Sequence, residues 1–137
     1  MTQPKPLIAF IAGSSFPALL IPFIVLGTAM MLRPEQGFPP QFLLWFMPVI
    51  MGLWNMGVVK LSPKLPGKGS ALTYWIAGAV IGLLFTIAGV STGAPEKLYG
   101  LSGGKAPLIM PIGIIAHGFI WGVMVRWTNG KLGLLND

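Results

Sequence analysis

The sequence predicts an all-α, polytopic integral membrane protein with four transmembrane helices. Hydrophobic residues make up 54 % of the 137 residues and charged residues only 9 %, whereas a soluble domain carries about 25 % charged residues. Four stretches approach the roughly 20 apolar residues that cross a bilayer, and they lie at 7–31, 41–59, 71–93 and 107–127. Because only short connections remain, we expect 1–137 to form a single transmembrane domain.

The first predicted helix, 7–31, is the longest and contains Pro17 and Pro22. Proline has no amide hydrogen and its ring clashes with the preceding turn, so we expect bends at both positions. At a rise of 1.5 Å per residue the stretch also exceeds a hydrocarbon core of roughly 30 Å. The helix must therefore tilt or bend to fit within the hydrocarbon core.

Three segments rich in proline and glycine separate the four predicted helices. They cover residues 33–40, 60–69 and 94–106, and their composition indicates loops.

Two of the predicted helices are preceded by similar segments, each starting with Pro-Glu (Pro34 and Pro95) and reaching a Met-Pro pair in the helix. Two repeated helical hairpins, related by an axis along the membrane normal, would produce this similarity. Chance resemblance between apolar, proline-rich stretches is the alternative.

Basic residues predict the orientation, because cytoplasmic loops carry more Lys and Arg. One side of the predicted topology collects Lys5, Lys60, Lys64, Lys68, Arg126 and Lys131, and the other collects Arg33, Lys97 and Lys105. We therefore expect both termini to be cytoplasmic, in a plasma or inner membrane. The net charge of +6 favours anionic lipid headgroups near Lys60, Lys64 and Lys68, and nucleic acid is not expected.

Glycine spacing indicates where helices pack closely, since small residues let helix backbones approach within lipid. Pairs four residues apart occur in the third and fourth predicted helices. They are Gly78 with Gly82, Gly89 with Gly93, and Gly118 with Gly122. The third helix is therefore the expected centre of the bundle or a dimer face.

Three polar side chains at membrane depth form a possible intramembrane site: Ser14, Asn55 and His117. A polar residue at this depth is by default a functional hypothesis. However, one hydrogen bond to a neighbouring helix satisfies much of a neutral imidazole or amide, at about 0.6 kcal/mol for a typical contact. Both interpretations stay open: a structural tie between helices, or a ligand or transport site.

The side-chain inventory argues against catalysis. The chain has no cysteine and one histidine, and its three acids, Glu35, Glu96 and Asp137, fall in loops or the tail. A zinc site needs three or four ligands, and hydrolysis needs paired carboxylates or a nucleophile, base and acid. We therefore expect no metal, no cofactor and no enzymatic activity.

The sequence thus predicts a small, non-catalytic integral membrane protein. As an accessory or scaffold subunit, it would pack against a membrane protein partner or as a homo-oligomer. The alternative is a small membrane carrier or channel, with a polar path near Ser14, Asn55 and His117.

Overall fold

A computed structural model describes residues 5–36, 42–65, 67 and 69–135; Lys68, one of the predicted headgroup contacts, lies outside these residues. The described chain is helical and contains no strand. Its α-helices are α1 (Lys5–Ser14), α2 (Phe16–Leu32), α3 (Phe42–Leu61), α4 (Ala71–Ser91), α5 (Ala94–Tyr99), α6 (Ile109–Ile120) and α7 (Arg126–Lys131). Short 3₁₀ turns cover Pro34–Gln36, Ser62–Lys64 and Gly103–Leu108, and a π-helical turn, Trp121–Val125, joins α6 to α7.

Three helical stretches are long and apolar enough to cross a membrane, which indicates an integral membrane protein. They are Lys5–Leu32, Ala71–Ser91 and Gly103–Lys131. These cover the first, third and fourth predicted helices. The second predicted helix, 41–59, corresponds to α3, which is helical but is not among the three. The count of four membrane-crossing helices therefore stays a prediction.

The first of these stretches is divided by a break at Ser15, which ends α1 and precedes α2. Pro17 lies in the first turn of α2, where its missing amide hydrogen costs no helical bond. Pro22 lies inside α2 without ending it. The predicted bend thus takes the form of an interruption beside Pro17.

The helices pack mainly as two hairpins, α1 with α3 and α4 with α6. The main core lies where the hairpins meet, around Met51, Tyr74 and Trp121, all fully buried. A smaller cluster brings Leu134 against Ala9 and Ala12 of α1. The two described ends of the chain therefore lie at the same end of the bundle.

Four of the predicted glycines lie in the close contact between α4 and α6. A Cβ atom on Gly82 would lie 2.7 Å from the Gly113 carbonyl oxygen and 2.8 Å from His117 Cβ, and one on Gly78 would strike the His117 carbonyl. Gly118 and Gly122 face Trp75 of α4 in return. Gly78, Gly82 and Gly118 have no room for a larger residue without displacing backbone or side-chain atoms, whereas at Gly122 the nearest atom to an added Cβ, Trp75 Cβ, lies 3.3 Å away.

The remaining glycine pair, Gly89 and Gly93, makes no such contact. A Cβ on Gly89 would have Ala94 Cβ as its nearest neighbour, at 4.0 Å. Gly93 lies beyond the end of α4 with a φ of +70°, at the start of α5. Glycine adopts this left-handed conformation without steric cost, so Gly93 turns the chain here and is not part of a helix-packing stripe.

The π-helical turn keeps one face of the last helical stretch against the rest of the protein. His117, Trp121, Val125 and Asn129 are all buried and are spaced four residues apart. In a regular α-helix, four residues overshoot a full turn by about 40°, so such a row would rotate away from its neighbours. The wider π turn takes back part of that rotation and brings Asn129 into the core.

Candidate functional site

A fully buried pair of carboxamides joins α3 to α7. Asn55 donates from Nδ2 to Asn129 Oδ1 at 3.0 Å, and Asn129 Nδ2 donates back to Asn55 Oδ1 at 2.9 Å. Asn55 Nδ2 also donates to the Ala9 carbonyl at 2.8 Å, and Asn129 Nδ2 to the Tyr74 hydroxyl at 3.0 Å. Each amide oxygen accepts and each NH₂ donates twice, so this network links α1, α3, α4 and α7 with its amides satisfied.

Ser14 lies at the same α1–α3 interface as Asn55. Its hydroxyl donates to the Phe10 carbonyl one turn earlier, at 2.7 Å. A Cβ on Gly52 of α3 would strike Ser14 Oγ, and one on Gly13 would strike Asn55 Cβ. Close approach of α1 and α3 through these two glycines therefore brings the serine and the asparagine to one surface, where both already have partners.

His117 lies instead at the α4–α6 interface, 7 % exposed. Its Nδ1 lies 2.8 Å from the Gly113 carbonyl oxygen. A carbonyl only accepts, so Nδ1 carries the proton and Nε2 of the neutral ring holds a lone pair. Within the described ranges, His117 Nε2 and Trp121 Nε1 are the buried side-chain nitrogen or oxygen atoms without a hydrogen-bond partner.

The structure thus divides the three predicted site residues between two interfaces. Ser14 and Asn55 lie together, and the hydrogen bonds of His117 join it to neither. Sequence reasoning missed Tyr74 and Asn129, the other members of the polar network. The signal for Asn129 is weak, because it follows Arg126 and lies past the predicted end of the fourth helix at 127.

A cavity of about 550 Å³ lies between α2, α4, α5 and α6. We call the end lined by Phe85 of α4 with His117 and Ile120 of α6 its deep end, and the end lined by Thr92 and Tyr99 its outer end. Most of its wall is apolar. Exposed residues on α2 and α6, among them Ile112, also line it, so it opens on the side of the bundle.

Charged groups surround the outer end of this cavity. Lys97 Nζ donates to the carbonyl of Thr92 at 3.2 Å, and Arg33 donates from Nη1 to the Glu96 carbonyl at 3.4 Å. Arg33 also forms an ion pair with Glu35, and this hydrogen bond lowers the pKa of the Glu35 carboxyl. Burial raises the pKa of the Tyr99 hydroxyl, and this hydroxyl donates to the Val25 carbonyl at 3.4 Å.

Among the residues that the structure describes, no three His, Asp or Glu side chains come together as metal ligands. Glu35 and Glu96 lie in exposed positions, and neither lines the cavity that reaches His117.

Comparison with family models, curated proteins and solved structures finds no match.

The described residues thus offer a closed polar network that holds helices together and a largely apolar cavity suited to an apolar molecule.

Proposed function

We propose that the protein is a non-catalytic integral membrane protein that acts as an accessory or scaffold subunit, packing against a membrane protein partner or a second copy of itself. One observation carries this proposal. Asn55 and Asn129 bond to each other, and Ser14 bonds to its own helix. The amides of Asn55 and Asn129 are used in holding the helices together, and the hydroxyl of Ser14 is satisfied within α1, so binding through the outer apolar surface is the function best supported.

The outer surface supports such packing. Phe23 of α2 is 75 % exposed and Phe119 of α6 is 61 % exposed. On the same outer face of α2, a Cβ on Gly27 would meet no atom within 4 Å. A neighbouring helix could therefore approach α2 closely, as small residues allow in membranes.

The proposal includes four membrane-crossing helices with both termini in the cytoplasm, in a plasma or inner membrane. Support for the fourth crossing comes from α3, a 20-residue helix whose charged residue, Lys60, lies in its last turn. Support for the orientation comes from the larger number of basic residues at the end where α3 finishes and α4 begins. Lys60, Lys64 and Lys68 would contact anionic headgroups there.

Photocrosslinking in native membranes tests the accessory role. A photoreactive p-benzoyl-phenylalanine replaces Phe23 or Phe119 on the outer surface, and Phe85, which packs against the core, serves as the internal control. We expect a protein crosslink from at least one outer position and none from position 85. A chain that runs as a monomer in mild detergent and forms only lipid adducts at both outer positions would overturn the proposal.

The carrier or channel alternative has less support. A polar path would need hydrogen-bonding groups facing a continuous opening, but Asn55 is fully buried in a satisfied network. The cavity that reaches His117 is apolar along most of its wall and ends in the middle of the bundle. We therefore favour the accessory function.

A further inference from the structure

We propose that the cavity between α2, α4, α5 and α6 holds one acyl chain of an anionic phospholipid, with the lipid phosphate beside Lys97. This inference concerns a separate surface and does not depend on the accessory role. It rests on the shape of the cavity and on the order of chemistry along it.

The cavity suits a chain and not a compact polar molecule. Its volume of about 550 Å³ falls within the range of about 300–1,000 Å³ typical of ligand sites. Its deep end is lined by the apolar side chains of Phe85 and Ile120 beside His117, and it opens sideways past the exposed Ile112 of α6. An apolar chain can enter by this route without crossing a polar layer.

The outer end supplies the complementary head site. Thr92, whose carbonyl accepts from the Lys97 ammonium at 3.2 Å, lines the cavity, and Pro95 and Leu98, on either side of Lys97, line it as well. The positive charge therefore lies where the apolar wall ends. This order, apolar and then cationic, matches that of a lipid tail and its phosphate.

The charge balance at this end of the bundle favours an anion. Three basic residues, Arg33, Lys97 and Lys105, stand against two acids, Glu35 and Glu96. Arg33 bonds to Glu35 and to the Glu96 carbonyl, and neither of these residues lines the cavity. The Lys97 ammonium contacts Thr92, which does line it, so recognition of the phosphate should depend mainly on Lys97.

Native mass spectrometry of the purified full chain tests this proposal, with dioleoyl phosphatidylglycerol and dioleoyl phosphatidylcholine as probes at equal concentration. We expect about five-fold preferential retention of one phosphatidylglycerol, the ratio that corresponds to about 1 kcal/mol for a basic side chain near a membrane surface. Lys97→Gln should bring the ratio close to one. Lys105→Gln removes a charge at the same end without touching the cavity wall and should leave the ratio unchanged.

The tail site is tested by filling the cavity. Gly89 lines it and has room for a side chain, because the nearest atom to an added Cβ is Ala94 Cβ, at 4.0 Å. Gly89→Phe should reduce lipid retention at least five-fold, whereas Gly27→Phe, at an open position away from the cavity, should not. Ala116→Phe is a second filling variant, and size-exclusion chromatography with circular dichroism confirms that each variant folds.

Three results would overturn the proposal. Equal retention of the two lipids by the unchanged protein would show that the site does not select an anionic headgroup. Full lipid retention by folded Gly89→Phe or Ala116→Phe protein would show that the acyl chain does not occupy this cavity. A photoreactive residue at Ile112 that crosslinks to a protein, and not to lipid, would mean that a partner helix covers the cavity.

Discussion

At the scale of single residues, the paired amides of Asn55 and Asn129 are the chief polar contact between the two hairpins. Interhelical polar contacts in membranes contribute about 0.6 kcal/mol on average, so the pair adds little by its presence. Removing one of the two amides costs more, because the remaining buried amide then lacks that hydrogen-bond partner and cannot reach water.

This asymmetry predicts the behaviour of two leucine variants. Asn129→Leu should lower the free energy of unfolding by about 1–3 kcal/mol, because Asn55 loses two of its bonds. Adding Asn55→Leu removes the second amide and should recover part of that loss. Steric trapping or thermal unfolding in detergent measures both. A double variant as unstable as the sum of the two single variants would contradict the explanation. Ser91→Ala, which removes an exposed hydroxyl that bonds within its own helix, is the control.

Sequence reasoning reaches Asn55 and His117 but not the contacts they make. Both residues can be identified because each is a polar side chain inside a predicted apolar helix. Their partners depend on which helix faces which: Asn55 and Asn129 are 74 positions apart. Ser14, Asn55 and His117 could all have met at one face, and the division of the helices into two hairpins separates them.

At the scale of elements, glycine distinguishes the tight interface from the open surface. The α4–α6 contact closes over Gly78 and Gly82, while Gly27 on α2 faces outward. The same substitution should therefore have opposite effects in the two places.

Gly82→Leu should destabilise the protein by about 1–3 kcal/mol or more, because its Cβ would meet the Gly113 carbonyl oxygen at 2.7 Å. Gly27→Leu fills open space in a helix and should be neutral or stabilising by up to about 1 kcal/mol. Thermal unfolding of the two variants in the same detergent provides the comparison. Equal melting temperatures would show that α4 and α6 are not in close contact.

The helix boundaries show what local sequence can predict. The sequence predicts that the third helix starts at residue 71, and α4 begins there, after Ser70, whose hydroxyl accepts from the Thr73 amide. The predicted end is 93, but Gly93 adopts a left-handed conformation that ends the helical path. No local sequence pattern predicts the π turn at 121–125, because the turn depends on tertiary packing that keeps Trp121 and Asn129 on one buried face.

At the scale of the whole molecule, the topology prediction can be tested directly because the chain has no cysteine. Lys64→Cys and Lys105→Cys place single thiols at exposed positions at opposite ends of the bundle. A membrane-impermeant maleimide added to intact cells should label position 105 and leave position 64 unlabelled until the cells are opened. The reverse pattern would invert the orientation, and equal labelling of both positions would contradict a membrane crossing between them.

The fold class follows from composition more directly than any contact does. A chain this apolar is expected to form helices, because a helix satisfies its own backbone hydrogen-bonding groups in lipid. The described residues are helical, as this argument predicts. The number of crossings follows less directly, because α3 carries Asn55, Pro48 and two tryptophans within its length. The cavity is beyond sequence reasoning, since it arises from the spacing of four elements.

The pairing of α1 with α3 and of α4 with α6 also bears on how the polypeptide is made. A ribosome releases the first hairpin before the second is complete, so each can form its internal contacts in turn. The joining of the halves, including the docking of Asn129 against Asn55, must await the synthesis of the second hairpin as far as Asn129. Two separately synthesised fragments, divided between Leu65 and Gly69, would carry the contacts needed to assemble with each other in the membrane.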